Sequence, residues 1–135
     1  MGKEERIMIA YEYIKRAKRK IESAKLLLKN KFIDDAVSRA YYAVFLAAYA
    51  VLYLLGETPK THEGLIHLFG VKLIMPGIVE KKYGRILSRL RQLREESDYA
   101  AYVYVDEDEA KELIDAAIDF LKKMEELVNK IAKEE

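Results

Sequence analysis

Few side chains in this sequence could do chemistry, and the most conspicuous is Arg39. It stands near the head of the run SRAYYAVFLAAYAVLYLL, residues 38–55, which is otherwise built for burial. A guanidinium among apolar neighbours must be neutralised, because an unpaired buried charge costs several kcal/mol. Two readings satisfy that demand. In one, Arg39 is a structural ion pair with Asp35, one turn earlier, or with the more distant Asp98. In the other it binds an anion such as a phosphate, which its forked donors suit. Tyr42 and Tyr53 fall on the same side of a helix as Arg39, but a phenol with a pKa of about 10 is a poor proton carrier at neutral pH. His62 and His67 are the two histidines. Five residues apart on a helix they diverge, so no shared metal site is expected. For each, a capping or packing role stands beside a role as a proton carrier near neutral pH. Arg94 and Asp98, four residues apart, read as a structural pair that ties down the loop after their helix.

Other catalytic patterns are missing. The chain has no glycine-rich phosphate loop, no nucleophile elbow and no paired-histidine motif. It has no cysteine, which excludes disulfides and thiolate chemistry and leaves the redox compartment open. No cofactor and no metal are implied.

The elements that must position these residues follow from length and pattern. A chain of 135 residues fits one domain with a real core. Twenty-four Lys and Arg nearly cancel 23 Asp and Glu, so net charge gives no global reason to bind nucleic acid or lipid. The distribution is uneven: residues 1–31 hold ten basic and four acidic side chains, and residues 106–135 hold five basic and eleven acidic ones. The ends read as solvated faces of neighbouring antiparallel helices, with a basic nucleic-acid surface as the alternative. The charged start MGKEERIMIAYEY lacks the apolar stretch of a secretory signal, which favours a cytoplasmic protein. High Lys and Glu content with one Gln, two Asn and no Cys leans towards a thermophilic source. The apolar stretch Ala40 to Leu55 is sixteen residues with four tyrosines, short of the ~20 needed to span a bilayer, so a buried helix is expected rather than a membrane segment.

Periodicity predicts helices almost throughout. Ile7, Tyr11, Ile14, Ala17, Ile21, Ala24 and Leu28 mark a first helix over residues 4–29, ended by Asn30 and Lys31. A second covers residues 33–55 and stops at Gly56. A loop and a short third helix follow, with Thr58 or Thr61 as cap and Pro59 allowed only in a first turn. After a turn at Pro76 and Gly77 comes a fourth helix with Ile86, Leu90, Leu93 and Ser97 on one stripe. AAYVYV is a connector with a brief alternation. A last helix is capped by Asp106 with Glu109 three residues on, as in a capping box, and turns Leu113, Ala117, Phe120, Leu121, Met124, Leu127 and Ile131 inward. The fold class is all-α: an up-and-down bundle of four long helices plus one short one, a single domain over residues 1–135.

On a helical wheel, Val37, Tyr41, Val44, Ala48, Val51, Leu52 and Leu55 form the core side of the second helix. Asp35, Arg39, Tyr42, Ala43, Leu46, Ala50 and Tyr53 form the other side, where lysine and glutamate would be usual on a surface helix. A helix apolar on both sides is covered on both, and the side bearing Arg39 is expected at a subunit interface or a cleft beside one, most simply in a two-fold dimer.

Four segments, SRAYYAVF, PKTHEGLIHLFG, GRILSRL and LREESDYA, in this order and spacing, resemble the HEPN domain, particularly its small stand-alone archaeal and bacterial members, over about residues 5–130. The resemblance implies a helical bundle that dimerises, often encoded beside a minimal nucleotidyltransferase as a toxin and antitoxin pair. It implies that active members are metal-independent ribonucleases. In these an arginine and a histidine a few residues later on one helix, from both subunits, line a cleft at the dimer interface. The arginine neutralises the scissile phosphate and the histidine shuttles a proton as the 2′-hydroxyl attacks. Arg39 matches the arginine. Where such relatives carry the histidine this chain has Leu46, which can neither donate nor accept a proton. His62 matches a family position, and either it or a tyrosine is the candidate substitute. In some pairs the partner adenylylates a tyrosine just beyond the motif histidine; here the residue two after Leu46 is Ala48, and Tyr49 is rotated away, so that regulation does not transfer.

The expected function is therefore a HEPN-type binding and regulatory module. It is a homodimer with a minimal nucleotidyltransferase as partner and RNA or a nucleotide phosphate held through Arg39, with Tyr42, Tyr53 and His62 as further ligand contacts. The alternatives are a ribonuclease toxin using Arg39 with His62 or a tyrosine, and a purely structural dimer.

Overall fold

The computed structural model describes residues 2–99 and 105–134. Five α-helices account for most of them: α1 (Lys3–Lys29), α2 (Ile33–Leu54), α3 (His62–Phe69), α4 (Lys81–Tyr99) and α5 (Glu107–Glu134). No strand occurs among the described residues. The connector AAYVYV lies mostly outside them.

Local chemistry sets the helix ends. At the end of α1, Lys31 takes a left-handed φ of 67°, its N–H bonds Leu28 O at 3.0 Å and the Phe32 N–H bonds Leu27 O at 2.9 Å. This paired arrangement satisfies the last carbonyls of the helix, with lysine where glycine is usual. Gly56 does the same for α2 with φ 88°: Gly56 N–H bonds Tyr53 O at 3.0 Å and Glu57 N–H bonds Leu52 O at 2.9 Å. Thr61, not Thr58, caps α3, its hydroxyl accepting from Gly64 N at 2.9 Å, and Pro59 lies in the preceding loop. Asp106 Oδ1 accepts from Glu109 N at 2.7 Å, but the Glu109 side chain turns to Arg89 instead of returning to the cap. Asp106→Ala should cost about 1 kcal/mol of unfolding free energy, read as a lower denaturation midpoint with unchanged slope.

One departure from the expected pattern is a π turn. Helix α3 runs on through Gly70–Ile74 with five-residue bonding, Met75 N–H reaching Gly70 O at 2.9 Å. The chain then reverses at Gly77, φ 79°.

Helix α2 is the centre of the bundle and packs against all four other helices. Its interface with α1 is built from small residues. Ala10, Ala17 and Ala24 on α1 and Ala36, Ala40, Ala43, Ala47 and Ala50 on α2 are fully buried, and both series repeat at seven-residue intervals. Such a seam lets two backbones approach closely. It also corrects the expectation for the second side of α2. Ala43, Leu46 and Ala50 are buried inside the single chain, so no second subunit is needed to cover them. Leu55 is exposed rather than core. By length and composition α2, at 22 residues, could cross a membrane, since the whole helix rather than its sixteen-residue apolar stretch sets the span, but 61% of its apolar window is buried within the bundle.

Helices α1 and α5 run antiparallel. Tyr11 bonds Asn129, Lys18 pairs with Glu125 at 2.6 Å, and Lys31 pairs with Glu107. These are the complementary ends of the chain in contact. On α4 the buried stripe is Tyr83, Leu87, Leu90 and Leu93, with Ile86 and Ser97 only half-buried. The stripe is rotated from the expected one because Tyr83 meets Phe120 edge-on at 5.9 Å. Phe120 also stacks on Phe69 at 5.4 Å, which joins α3, α4 and α5.

Candidate functional site

The sequence-predicted residues separate into two clusters on the flanks of α2. Arg39 and Tyr41 point about 160° apart at 100° per residue, and each meets a different neighbour.

Arg39 lies exposed at the edge of the α1–α2 seam. Among the described residues it makes no hydrogen bond or ion pair, and Asp35, also exposed, is not joined to it. The charge that reaches it comes from Lys20 of α1. Burial first, then the charges of Arg39, Arg16 and Arg19, hold the Lys20 ammonium below the ordinary lysine value. Arg16, Arg19 and Lys20 line, with Ser23, a shallow depression of about 240 Å³. Four cations thus share one patch without a carboxylate among the depression's lining residues. Such a patch repels itself and gains by binding a polyanion. On the same face, two turns beyond Arg39, Leu46 is 7% exposed and packed into the core. Neither histidine, both of which belong to α3, stands on that face.

The basic face of α1 is plain in the sequence, whereas its union with Arg39 emerges only in the fold. A signal for it exists nonetheless. Helices α1 and α2 form an antiparallel hairpin about the turn at Asn30–Phe32. Residues at similar distances from that turn therefore meet: Arg6 donates to Tyr53 O at 2.6 Å, Tyr13 packs on Tyr49 at 4.8 Å, and Lys20 feels Arg39.

His62, the first residue of α3, lies on the other flank. Its Nδ1 is 2.6 Å from the Tyr41 hydroxyl, and its ring packs on Phe45 at 4.8 Å. Tyr41 is fully buried, and burial pushes its phenol up to about 12, so it stays protonated. Its hydroxyl has no other acceptor among the described residues, so it donates to Nδ1 and the imidazole carries its proton on Nε2. Burial, then Arg94 and Arg91, lower the His62 pKa and keep the ring neutral at pH 7.

The two arginines come from α4. Arg91 pairs with Glu63 and with Glu95, each at 2.7 Å. Arg94 meets Asp98 at 3.3 Å and lies 5.1 Å over the Tyr42 ring. These cations are already neutralised, unlike Arg39. Tyr42 therefore belongs to the His62 flank. Tyr53 lies at the far end of α2 beneath Arg6, whose guanidinium is 5.4 Å from its ring. The predicted ligand contacts are not gathered at one point within the chain. Tyr41 and Arg91 escape a reading of the sequence, because no local pattern brings them to His62. Among the described residues no three His, Asp or Glu side chains converge to hold a metal ion.

The His62 pKa gives a signed expectation. Its folded value is below its unfolded value, so the unfolded chain binds more protons in the interval between them. Its contribution to stability is complete above about pH 6.5 and is lost as pH falls towards the folded value. The denaturation midpoint should drop as pH falls below about 6.5, and His62→Gln should shrink that drop. An unchanged drop in the variant would show that His62 is not the titrating group.

Comparison with known proteins agrees with this architecture. The HEPN domain model matches residues 10–127. A protein of Methanocaldococcus jannaschii provisionally named a toxin is 36% identical over 115 residues, 85% of each chain. A UPF0332 protein of Thermotoga maritima is 33% identical over 134 residues, covering 98% of this chain and 99% of its own. A UPF0332 protein of Archaeoglobus fulgidus is 36% identical over 117 residues, 87% of this chain and 93% of its own. With the family model spanning most of the helical bundle and relatives aligned over nearly their full length, this chain belongs to the HEPN domain family.

Proposed function

We propose that this protein is a toxin-like HEPN binding module that holds the phosphates of RNA or of a nucleotide at Arg39, and does not cleave them. The observation that carries the reading is the unpaired guanidinium of Arg39 beside Lys20, Arg16 and Arg19, with buried Leu46 on its face where a proton carrier would be required. A cation cluster supplies binding, whereas transesterification of RNA also needs a proton removed from the 2′-hydroxyl and one delivered to the leaving oxygen. The provisional toxin name of a relative supports a role in a toxin and antitoxin pair. The working form is a homodimer formed through the half-buried strip of Tyr42, Phe45, Tyr49 and Tyr53 on α2, with a minimal nucleotidyltransferase as partner in the cytoplasm.

The second reading is a ribonuclease toxin. It draws on one observation: His62 is a neutral imidazole held by its hydrogen bond with Tyr41, although with Nδ1 accepting and Nε2 protonated it takes up a proton only after exchange to the other tautomer. In a third reading Arg39 serves only the dimer.

The test uses a 5′-labelled single-stranded RNA in EDTA, followed by anisotropy and by a denaturing gel, with ATP as a second ligand. Wild type should bind the RNA and leave it intact, and Arg39→Ala should weaken binding about tenfold, the ~1.4 kcal/mol of one good phosphate contact. Cleavage by wild type that disappears in both Arg39→Ala and His62→Ala would establish the ribonuclease. Loss of the dimer without change in binding would establish the structural role.

A further inference from the structure

Between α3 with its π turn and α4, where Ile74 seats directly against Gly84, lies a groove of about 580 Å³. Its floor is apolar: Ile66, Ile74 and Leu87, over the buried edge of Phe69. Its lip is basic. Lys81, Arg85 and Arg89 lie at four-residue steps along α4, and no carboxylate is among the lining residues. Among the described residues Lys81 and Arg85 have no ion pair, and Arg89 already takes a carboxylate, that of Glu109 at 3.2 Å. Just beyond the groove, Val71, Met75 and Ile78 are exposed, Met75 by 79%.

Gly70 is the most telling residue. Its φ of −62° and ψ of −50° are ordinary helical values, and a Cβ there would meet nothing within 4 Å. Neither conformation nor packing inside the chain requires a glycine, and glycine in a helix costs roughly 0.5–1 kcal/mol relative to alanine. What its bare backbone does is leave the groove open. The π turn that starts at Gly70 widens the helix at the same place, and π turns occur frequently at functional sites.

We propose that this groove is the docking site for an acidic amphipathic helix of a partner protein. Apolar side chains at three- and four-residue spacing would enter the floor. Carboxylates on the flank of the visiting helix would meet Lys81 and Arg85, about 6 Å apart along α4 at 1.5 Å per residue, with Arg89, shared with Glu109, at the end of the row. The chemistry favours this occupant over a nucleic acid, because the one aromatic ring of the floor is 1% exposed and already stacked on Phe120, so no base can stack on it. The inference does not rest on the RNA reading, since it uses other residues on another face.

The test is a displayed library of 16-residue helix-forming peptides with randomised faces. It is selected on the full-length wild-type protein and counter-selected on Gly70→Leu, whose Cβ meets no atom within 4 Å and whose side chain adds bulk at the groove. Selected peptides should carry Leu, Ile or Met at three- and four-residue spacing with Glu or Asp on the flank. Their affinity should fall at least tenfold in Gly70→Leu and in the double variant Lys81→Glu/Arg85→Glu, whose floor is intact. Cooperative unfolding at midpoints no lower than that of wild type establishes that both variants fold. The proposal is overturned if no groove-dependent binders emerge or if the winners are basic. It is equally overturned if the charge reversal abolishes binding to phosphatidylserine vesicles or to an RNA oligonucleotide while peptide binding is untouched.

Discussion

Phe120→Ala should lower the free energy of unfolding by about 3–5 kcal/mol, the largest loss expected from a single substitution here. Phe120 is fully buried and touches the rings of Phe69 on α3 and Tyr83 on α4. Removing it deletes one large transfer contribution and leaves a cavity that three helices border. Close packing elsewhere limits collapse into it, because the α1–α2 side of the bundle is already at alanine contact distance. A urea melt checks this. A loss under about 1 kcal/mol would mean that α3 and α4 can re-pack freely, and the groove between them could not then be a shaped surface. For a domain of this size, a loss in the expected range consumes a large part of total stability.

The second large effect concerns binding. Reversing three charges together, Arg16→Glu, Arg19→Glu and Lys20→Glu, should reduce RNA affinity about a hundredfold or more at moderate salt. It should also flatten the dependence of log K on log salt, by about 0.7 for each phosphate of the single strand that is no longer neutralised. Arg16 and Arg19 are exposed and Lys20 is half-buried, and the wild-type cluster is self-repelling, so the fold should be unharmed. The reversal Lys81→Glu/Arg85→Glu on the far face is the control and should leave RNA binding within about twofold. Equal weakening in both variants would reduce the patch to diffuse electrostatics.

Much of the fold is legible in the sequence for reasons that can be named. Heptad-spaced Ala and Ile mark the inner face of α1, and Asp106 and Gly56 sit where capping chemistry requires them. Illegible features are those that depend on how helices meet. The stripe of α4 contains Leu87 rather than Ile86 because Tyr83 must reach Phe120, a contact 37 residues away in the chain. The π turn has no periodic signature, since Gly70 also satisfies an ordinary helix. The second side of α2 looks like an interface because it lacks charge, yet alanines there serve close approach within the chain. The same limits apply to the candidate site. Arg39 is legible as an anomalous charge, and its cationic neighbours are encoded by hairpin symmetry. The Tyr41–His62 bond joins a core helix to a loop-capped one, and no spacing rule relates them.

The central claim is that phosphate is held by the Arg39 patch and not by the His62 flank. The most direct measurement is NMR of the guanidinium Nε–H and imidazole resonances while single-stranded RNA is titrated in at low salt. The Arg39, Arg16 and Arg19 signals should move together and return when salt is raised, with His62 unmoved. Movement of His62 with Arg39 silent would contradict the account.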